Sequence, residues 1–147
     1  MDKQFDTGLM WFRRDLRVVD NAALCMALKA CRQLHCVFVF DRDILDVLPR
    51  ADRRVEFIQA TLCELDEDIR KMSGKPHAGL VVRMGFASAE ILALAKALQV
   101  QAVFAAHDYE PQAMARDATL KHALTDAGMA LHTCKDHVVF EGREILT

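Results

Sequence analysis

Leu9-Met10-Trp11-Phe12-Arg13-Arg14-Asp15-Leu16-Arg17-Val18-Val19-Asp20-Asn21-Ala22-Ala23-Leu24 passes from an apolar run, through a charged turn, into the start of a helix, and its reading decides the fold. Met10, Trp11 and Phe12 are too apolar to stay in water, whereas Arg13, Arg14, Asp15 and Arg17 are costly to bury without partners. Polarity therefore changes within one residue. A strand that ends this way places its charged residues at a carboxyl end, which is where an open α/β sheet holds its ligand. The spacing predicts a first strand over 8–12 and a helix capped by Asp20, with Ala23, Leu24, Ala27, Leu28 and Cys31 on its inner face.

Outward from that stretch the same unit repeats. Cys36-Val37-Phe38-Val39-Phe40 is an unbroken apolar run with β-branched and aromatic residues, as expected of a strand covered on both faces. It stops at Asp41-Arg42-Asp43. A short apolar turn, Ile44 to Leu48, is closed by Pro49, and a long helix follows from about Asp52 to Met72. Val55, Ile58, Leu62, Leu65, Ile69 and Met72 repeat there at steps of three and four, one helical face that suits a sheet-covering helix. Gly74 and Pro76 end it. A third strand over 79–84, a helix capped by Ser88 with Ile91, Leu94, Ala95 and Leu98 inside, and a fourth strand over 102–106 come next. His107-Asp108-Tyr109-Glu110-Pro111 closes that strand. A helix through Leu120, Ala123, Leu124 and Ala127 stops at Gly128, and 129–134 makes a fifth, more polar edge strand.

This βαβαβαβαβ alternation predicts an α/β fold: a five-stranded parallel sheet of order 3-2-1-4-5, doubly wound with helices on both faces. In that order the winding reverses between strands 1 and 4, so the turns after Phe12 and Ala106 meet at one crevice. Arg13 and Arg14 are thus expected to face Asp108 and Glu110.

The chain has 147 residues, enough for one core, and 52% hydrophobic with 27% charged residues is the balance of a soluble globular domain. A net charge of -2 argues against a nucleic-acid surface, because phosphate binding leaves a basic excess. Cys25, Cys31, Cys36, Cys63 and Cys134 form no C-x-x-C pair and follow no leader-like segment, which predicts reduced thiols in a cytoplasmic protein. Cys31, His35 and Cys36 lack the second cluster of a structural zinc site, so no metal is expected. No apolar run approaches membrane-spanning length. Glycine-rich phosphate loops, the G-x-S-x-G elbow and the H-E-x-x-H helix are all missing, and local catalysis has no support.

The two charged loops remain, with guanidinium planes to stack, carboxylates to accept ring N–H groups, and apolar walls for an aromatic heterocycle. The plainer alternatives are ion pairs of Arg13 and Arg14 with Asp15 or Asp108, a purely core Trp11, and a loop role for His107. Arg50, Arg53 and Arg54 read as a solvated first helical turn.

The run W-F-R-R-D-L-R-x-x-D-N-x-A-L resembles the opening of the DNA photolyase and cryptochrome family. Asp108, Tyr109, Glu110, Pro111, Ala113, Arg116 and Asp117 match its D-Y-E-P-x-A-x-x-R-D turn, and Asp136-His137-Val138 with Glu144-Ile145-Leu146-Thr147 resembles the segment before its interdomain linker. The resemblance implies an antenna-binding α/β domain over 1–134 and the start of a linker over 135–147, with the FAD-binding helical domain absent. It implies a parent deoxyribodipyrimidine photo-lyase, in which FAD and damaged DNA are held by that missing domain; 1–147 alone is expected to be inactive and not to bind DNA directly. Pro111-Gln112 stands where folate-binding members carry Asn-Glu, so a deazaflavin or FMN antenna is expected over folate. The implied contacts are Arg13, Phe38, Phe40, Asp41, Asp108 and Glu110. Alternatives are the photosensory module of a cryptochrome and a small nucleotide-binding α/β domain.

Overall fold

A computed structural model describes residues 3–13, 16–42, 53–74 and 79–134. Its elements run β1 (Phe5–Phe12), α1 (Ala22–Ala30), β2 (Cys31–Asp41), α2 (Arg53–Ser73), β3 (Leu80–Gly85), α3 (Ala87–Leu98), β4 (Ala102–Ala106), α4 (Pro111–Asp126) and β5 (Ala130–Cys134). The sheet has the order β3-β2-β1-β4-β5, and every neighbouring pair is parallel. The predicted topology is therefore the observed one.

Strand alternation splits the core into two layers. Leu9, Trp11, Val37, Val39, Val103 and Ala105 point to the face covered by α3 and α4, where Ile91, Leu94, Leu120 and Leu124 meet them. Met10, Phe12, Phe38, Phe104 and Ala106 point to the other face, against Leu24 and Ala27 of α1 and Leu62, Leu65 and Ile69 of α2. Both central strands are sealed on two sides, so their sequences read as unbroken apolar runs.

Several boundaries differ from the sequence expectation, each for a physical reason. β1 and β2 begin earlier, at Phe5 and Cys31, because their partly polar amino-terminal halves still pair in register, Phe5 opposite Cys31 and Thr7 opposite Gln33. The cap of α1 is Asn21, not Asp20. Its side chain accepts from the Leu24 N–H at 3.0 Å and donates to the Arg17 carbonyl at 2.9 Å while only 1% exposed. A neutral amide does both jobs in a buried place where a carboxylate would be an uncompensated charge. Asp20 instead takes a left-handed φ of 52°. Leu28 and Met72 lie at the margins of their stripes and are exposed. Phe86, not Ser88, precedes α3, and it makes no side-chain cap bond.

Gly8 is required by close approach: a Cβ there would stand 2.3 Å from the Cys31 sulfur. Cys31 and Cys36 are buried, and burial pushes the Cys36 thiol up to about 12. Residues 14–15, 43–52, 75–78 and 135–147 lie outside the described residues, which takes in Arg14, Asp15, the 44–48 turn, Arg50 and the linker expectation.

Candidate functional site

The carboxyl edge of the sheet carries charge where the strands run out of apolar residues. Arg13 continues the alternation of Leu9 and Trp11, so it leaves β1 on the face of α3 and α4. Its Nη1 donates to both carboxylate oxygens of Asp117, at 2.7 and 2.9 Å, and its Nη2 donates to the Ala106 carbonyl at the end of β4. The guanidinium also lies over the Trp11 indole, 4.6 Å from the ring centre. With side chains only 8% and 12% exposed, Arg13 and Asp117 form a desolvated pair, not a surface one.

Asp41 continues Val37 and Val39 on the same face of β2. Its carboxylate accepts from Arg116, the residue next to Asp117 in α4. The side chain of Asp41 is 7% exposed and that of Arg116 24%. The Arg116 Nε–H is buried and has no acceptor among the described residues. Such a donor costs free energy until a water or a ligand atom meets it.

Past β4, the His107 N–H donates to the Cys134 carbonyl at 2.7 Å, which continues the ladder by one bond. Asp108 is buried, and its carboxylate accepts from the Glu110 N–H at 3.0 Å, folding 108–110 into a tight turn that starts α4. Glu110 stands at the N-cap position with an exposed side chain that does not cap its own helix. Pro111 follows at the first helical position, where its missing N–H is harmless. His107 and Tyr109 pack edge to face at 4.4 Å, with Tyr109 half-exposed.

The six residues singled out from the sequence thus fall into two groups. Arg13, Asp41, Asp108 and Glu110 gather on the carboxyl edge around the start of α4. Phe38 and Phe40, edge to face at 5.1 Å, belong to the opposite face, where Phe38 is core and Phe40 is half-buried. The carboxylate that Arg13 holds on both oxygens is Asp117. Sequence reasoning matched Arg116 and Asp117 to a motif but gave them no place in the site. A signal for Asp117 was present: the buried residues of α4 are Ala113, Asp117, Leu120 and Leu124, so a carboxylate occupies the inner stripe and demands a cation.

Residues 8–147 match the family model described as DNA photolyase. A deoxyribodipyrimidine photo-lyase from Synechococcus sp. is 32% identical over 139 residues, covering 95% of this chain and 28% of the relative. A cryptochrome DASH from Natronomonas pharaonis is 30% identical over 147 residues, covering 97% of this chain and 30% of the relative. The crystal structure of an archaeal photolyase from Sulfolobus tokodaii with two FAD molecules aligns with a TM-score of 0.79 at 29% identity, over 93% of this chain and 32% of that one. The chain spans less than a third of the length of each of these relatives. Among the described residues, no helix is long and apolar enough to cross a membrane.

Proposed function

The chain belongs to the DNA photolyase family, and we propose that it is the light-harvesting domain of a deoxyribodipyrimidine photo-lyase, holding an antenna chromophore at the carboxyl edge of its sheet. The observation that carries this reading is the gathering of Arg13, Asp41, Asp108, Arg116 and Asp117 at the winding reversal between β1 and β4, where open α/β sheets bind ligands. When bound, the chromophore supplies absorption of near-ultraviolet or blue light.

The residues present fit a planar, hydrogen-bonding heterocycle. Asp108 and Glu110 offer carboxylates to ring N–H groups and the Arg116 Nε–H offers a buried donor, whereas Phe40 and the exposed Met84 opposite it on β3 stand on the other face and take no part in that cluster. Arg13, clasped by Asp117 and the Ala106 carbonyl, shapes the site from behind. The ligand is a deazaflavin or a flavin in preference to a folate, and the Sulfolobus photolyase with two FAD molecules supports adding FAD to the candidates. In the parent, repair of pyrimidine dimers and the contact with damaged DNA fall to residues beyond this chain, and 1–147 alone is inactive. The free thiols of Cys25, Cys31, Cys36, Cys63 and Cys134 support a cytoplasmic location.

The test is a fluorescence titration of the chain with a deazaflavin, FMN, FAD and a reduced folate in parallel. Saturable binding of a flavin-type ligand, lost in the double variant Asp108→Ala and Glu110→Ala, is the expected result. Binding of folate alone would overturn the chromophore assignment, and binding of none would overturn the reading for this chain. The similarity to a cryptochrome DASH favours one second reading, a photosensory module. It shares the chromophore site and differs in lacking dimer repair by the parent.

A further inference from the structure

We propose that Arg116 and Asp117 form a crossed charge lock that sets the register of α4 on the sheet and so positions the Asp108–Glu110 turn. The role in ligand binding rests on the reading above; the geometric role does not. Two adjacent helical residues of opposite sign reach two different strands, Arg116 to Asp41 of β2 and Asp117 to Arg13 at the end of β1. Because the charges alternate, a helix rotated by one residue would set Arg116 toward Arg13 and draw it away from Asp41. Register is therefore fixed by repulsion as well as by attraction.

The lock sits six and seven residues beyond Glu110, within two turns of the start of α4, and the same guanidinium that holds Asp117 also holds the Ala106 carbonyl at the end of β4. The segment from Ala106 to Pro111 is thus pinned at both ends by one residue, Arg13, acting through the β4 terminus and through α4. Asp108 lies between the pins, buried, with its carboxylate on the Glu110 N–H. Apolar packing in the first two turns of α4 is limited to the small Ala113, with Leu120 and Leu124 deeper in the helix, so the two ion pairs add the main directional contacts at that end. Arg116 and Asp117 are positioning residues: they act on the acidic turn through the helix that carries it.

The experiment compares Asp117→Asn, Arg116→Met and Arg116→Lys with the unaltered chain, all under conditions where each is more than nine-tenths folded by circular dichroism. Hydrogen exchange of the Glu110 amide reads the turn without any ligand. The lock predicts at least tenfold faster exchange at Glu110 in Asp117→Asn and Arg116→Met, with exchange in the centre of β1 unchanged, and restoration to within threefold in Arg116→Lys. The emission of Trp11, under the Arg13 guanidinium, should shift in Asp117→Asn and not in Arg116→Lys. Uniformly faster exchange throughout the chain would mean a purely stabilising role and overturns the proposal, as does unchanged exchange at Glu110. FMN and deazaflavin titrations of the same proteins separate the two claims. At least tenfold weaker binding in Asp117→Asn, which leaves the Arg116 donor in place, supports both. Failure of the unaltered chain to bind either overturns the proposed function while the Glu110 amide still decides the lock.

Discussion

Asp117→Ala removes the carboxylate whose two oxygens Arg13 Nη1 holds, beneath a guanidinium side chain only 8% exposed. Breaking a buried pair from one side costs about 3–5 kcal/mol, because the remaining charge stays desolvated. Arg13 keeps the Ala106 carbonyl and the face of Trp11, which places the expected loss at the lower end, about 3 kcal/mol. For a domain of this size that is a fall in Tm of roughly 10 °C. The apolar double variant Arg13→Met with Asp117→Leu removes both charges and should return to within about 1 kcal/mol of the unaltered chain. Urea unfolding followed through Trp11, the only tryptophan and 3% exposed, gives the midpoint and slope for each protein. With Arg13→Met and Asp117→Leu also made singly, the matched cycle should yield a coupling of about 2–3 kcal/mol. A loss below about 1 kcal/mol in Asp117→Ala at unchanged slope is what an exposed pair delivers. That result would refute the claim that this pair is desolvated.

Asn21→Ala deprives the Leu24 N–H and the Arg17 carbonyl of their partner and should cost about 1–2 kcal/mol in the same unfolding assay, whereas Asp20→Ala should cost far less. Asp66 accepts from the Leu80 N–H at 2.7 Å and from Arg70, and these bonds hold its carboxyl below the ordinary value of 3.8. A depressed folded pKa gives stability that is present above 3.8 and lost as the pH falls through the lower folded value, so Asp66→Asn should flatten stability against pH in that acid window and leave neutral pH behaviour otherwise parallel. Gly8→Ala drives a methyl against the Cys31 sulfur and should cost about 1–3 kcal/mol, with much of it recovered by adding Cys31→Ala. An aromatic disulfide reagent at pH 8 should label exposed Cys25 and Cys63 in the folded chain and reach Cys36, whose thiol stands at about 12, only after unfolding.

Legibility along the chain followed the range of the interaction that decides each feature. The order β3-β2-β1-β4-β5 could be read in advance because apolar runs such as Cys36 to Phe40 alternate with stripes such as Leu62, Leu65 and Ile69, and because crossover handedness leaves few arrangements. Strand beginnings were less legible. Arg32 and Gln33 look like loop residues in sequence and pair as strand residues only because β1 supplies a partner. Asp20 and Asn21 are both good caps by type, and the choice between them depended on burial. The ion pairs were least legible of all, since Arg13 and Asp117 are 104 residues apart and Asp41 and Arg116 are 75 apart. Strand alternation placed Phe38 and Phe40 on the other face from Asp41, a separation that simple adjacency in sequence conceals.

Stability does not account for four charges at this edge. Apolar residues of similar volume in place of Arg13, Asp41, Arg116 and Asp117 would hold the same layers together at least as well, since desolvation offsets most of the Coulombic gain of a buried pair. An apolar α4, however, would leave its register on the sheet to Ala113, Leu120 and Leu124 alone, with neighbouring registers separated only by their packing. Charges of alternating sign remove those registers. They also leave the edge polar and directional, with the buried Asp108 carboxylate and the buried Arg116 Nε–H held at fixed places. A site for a hydrogen-bonding heterocycle needs both a fixed register and groups already taken out of water. The features that stability alone would omit are therefore the ones that a ligand at the winding reversal requires.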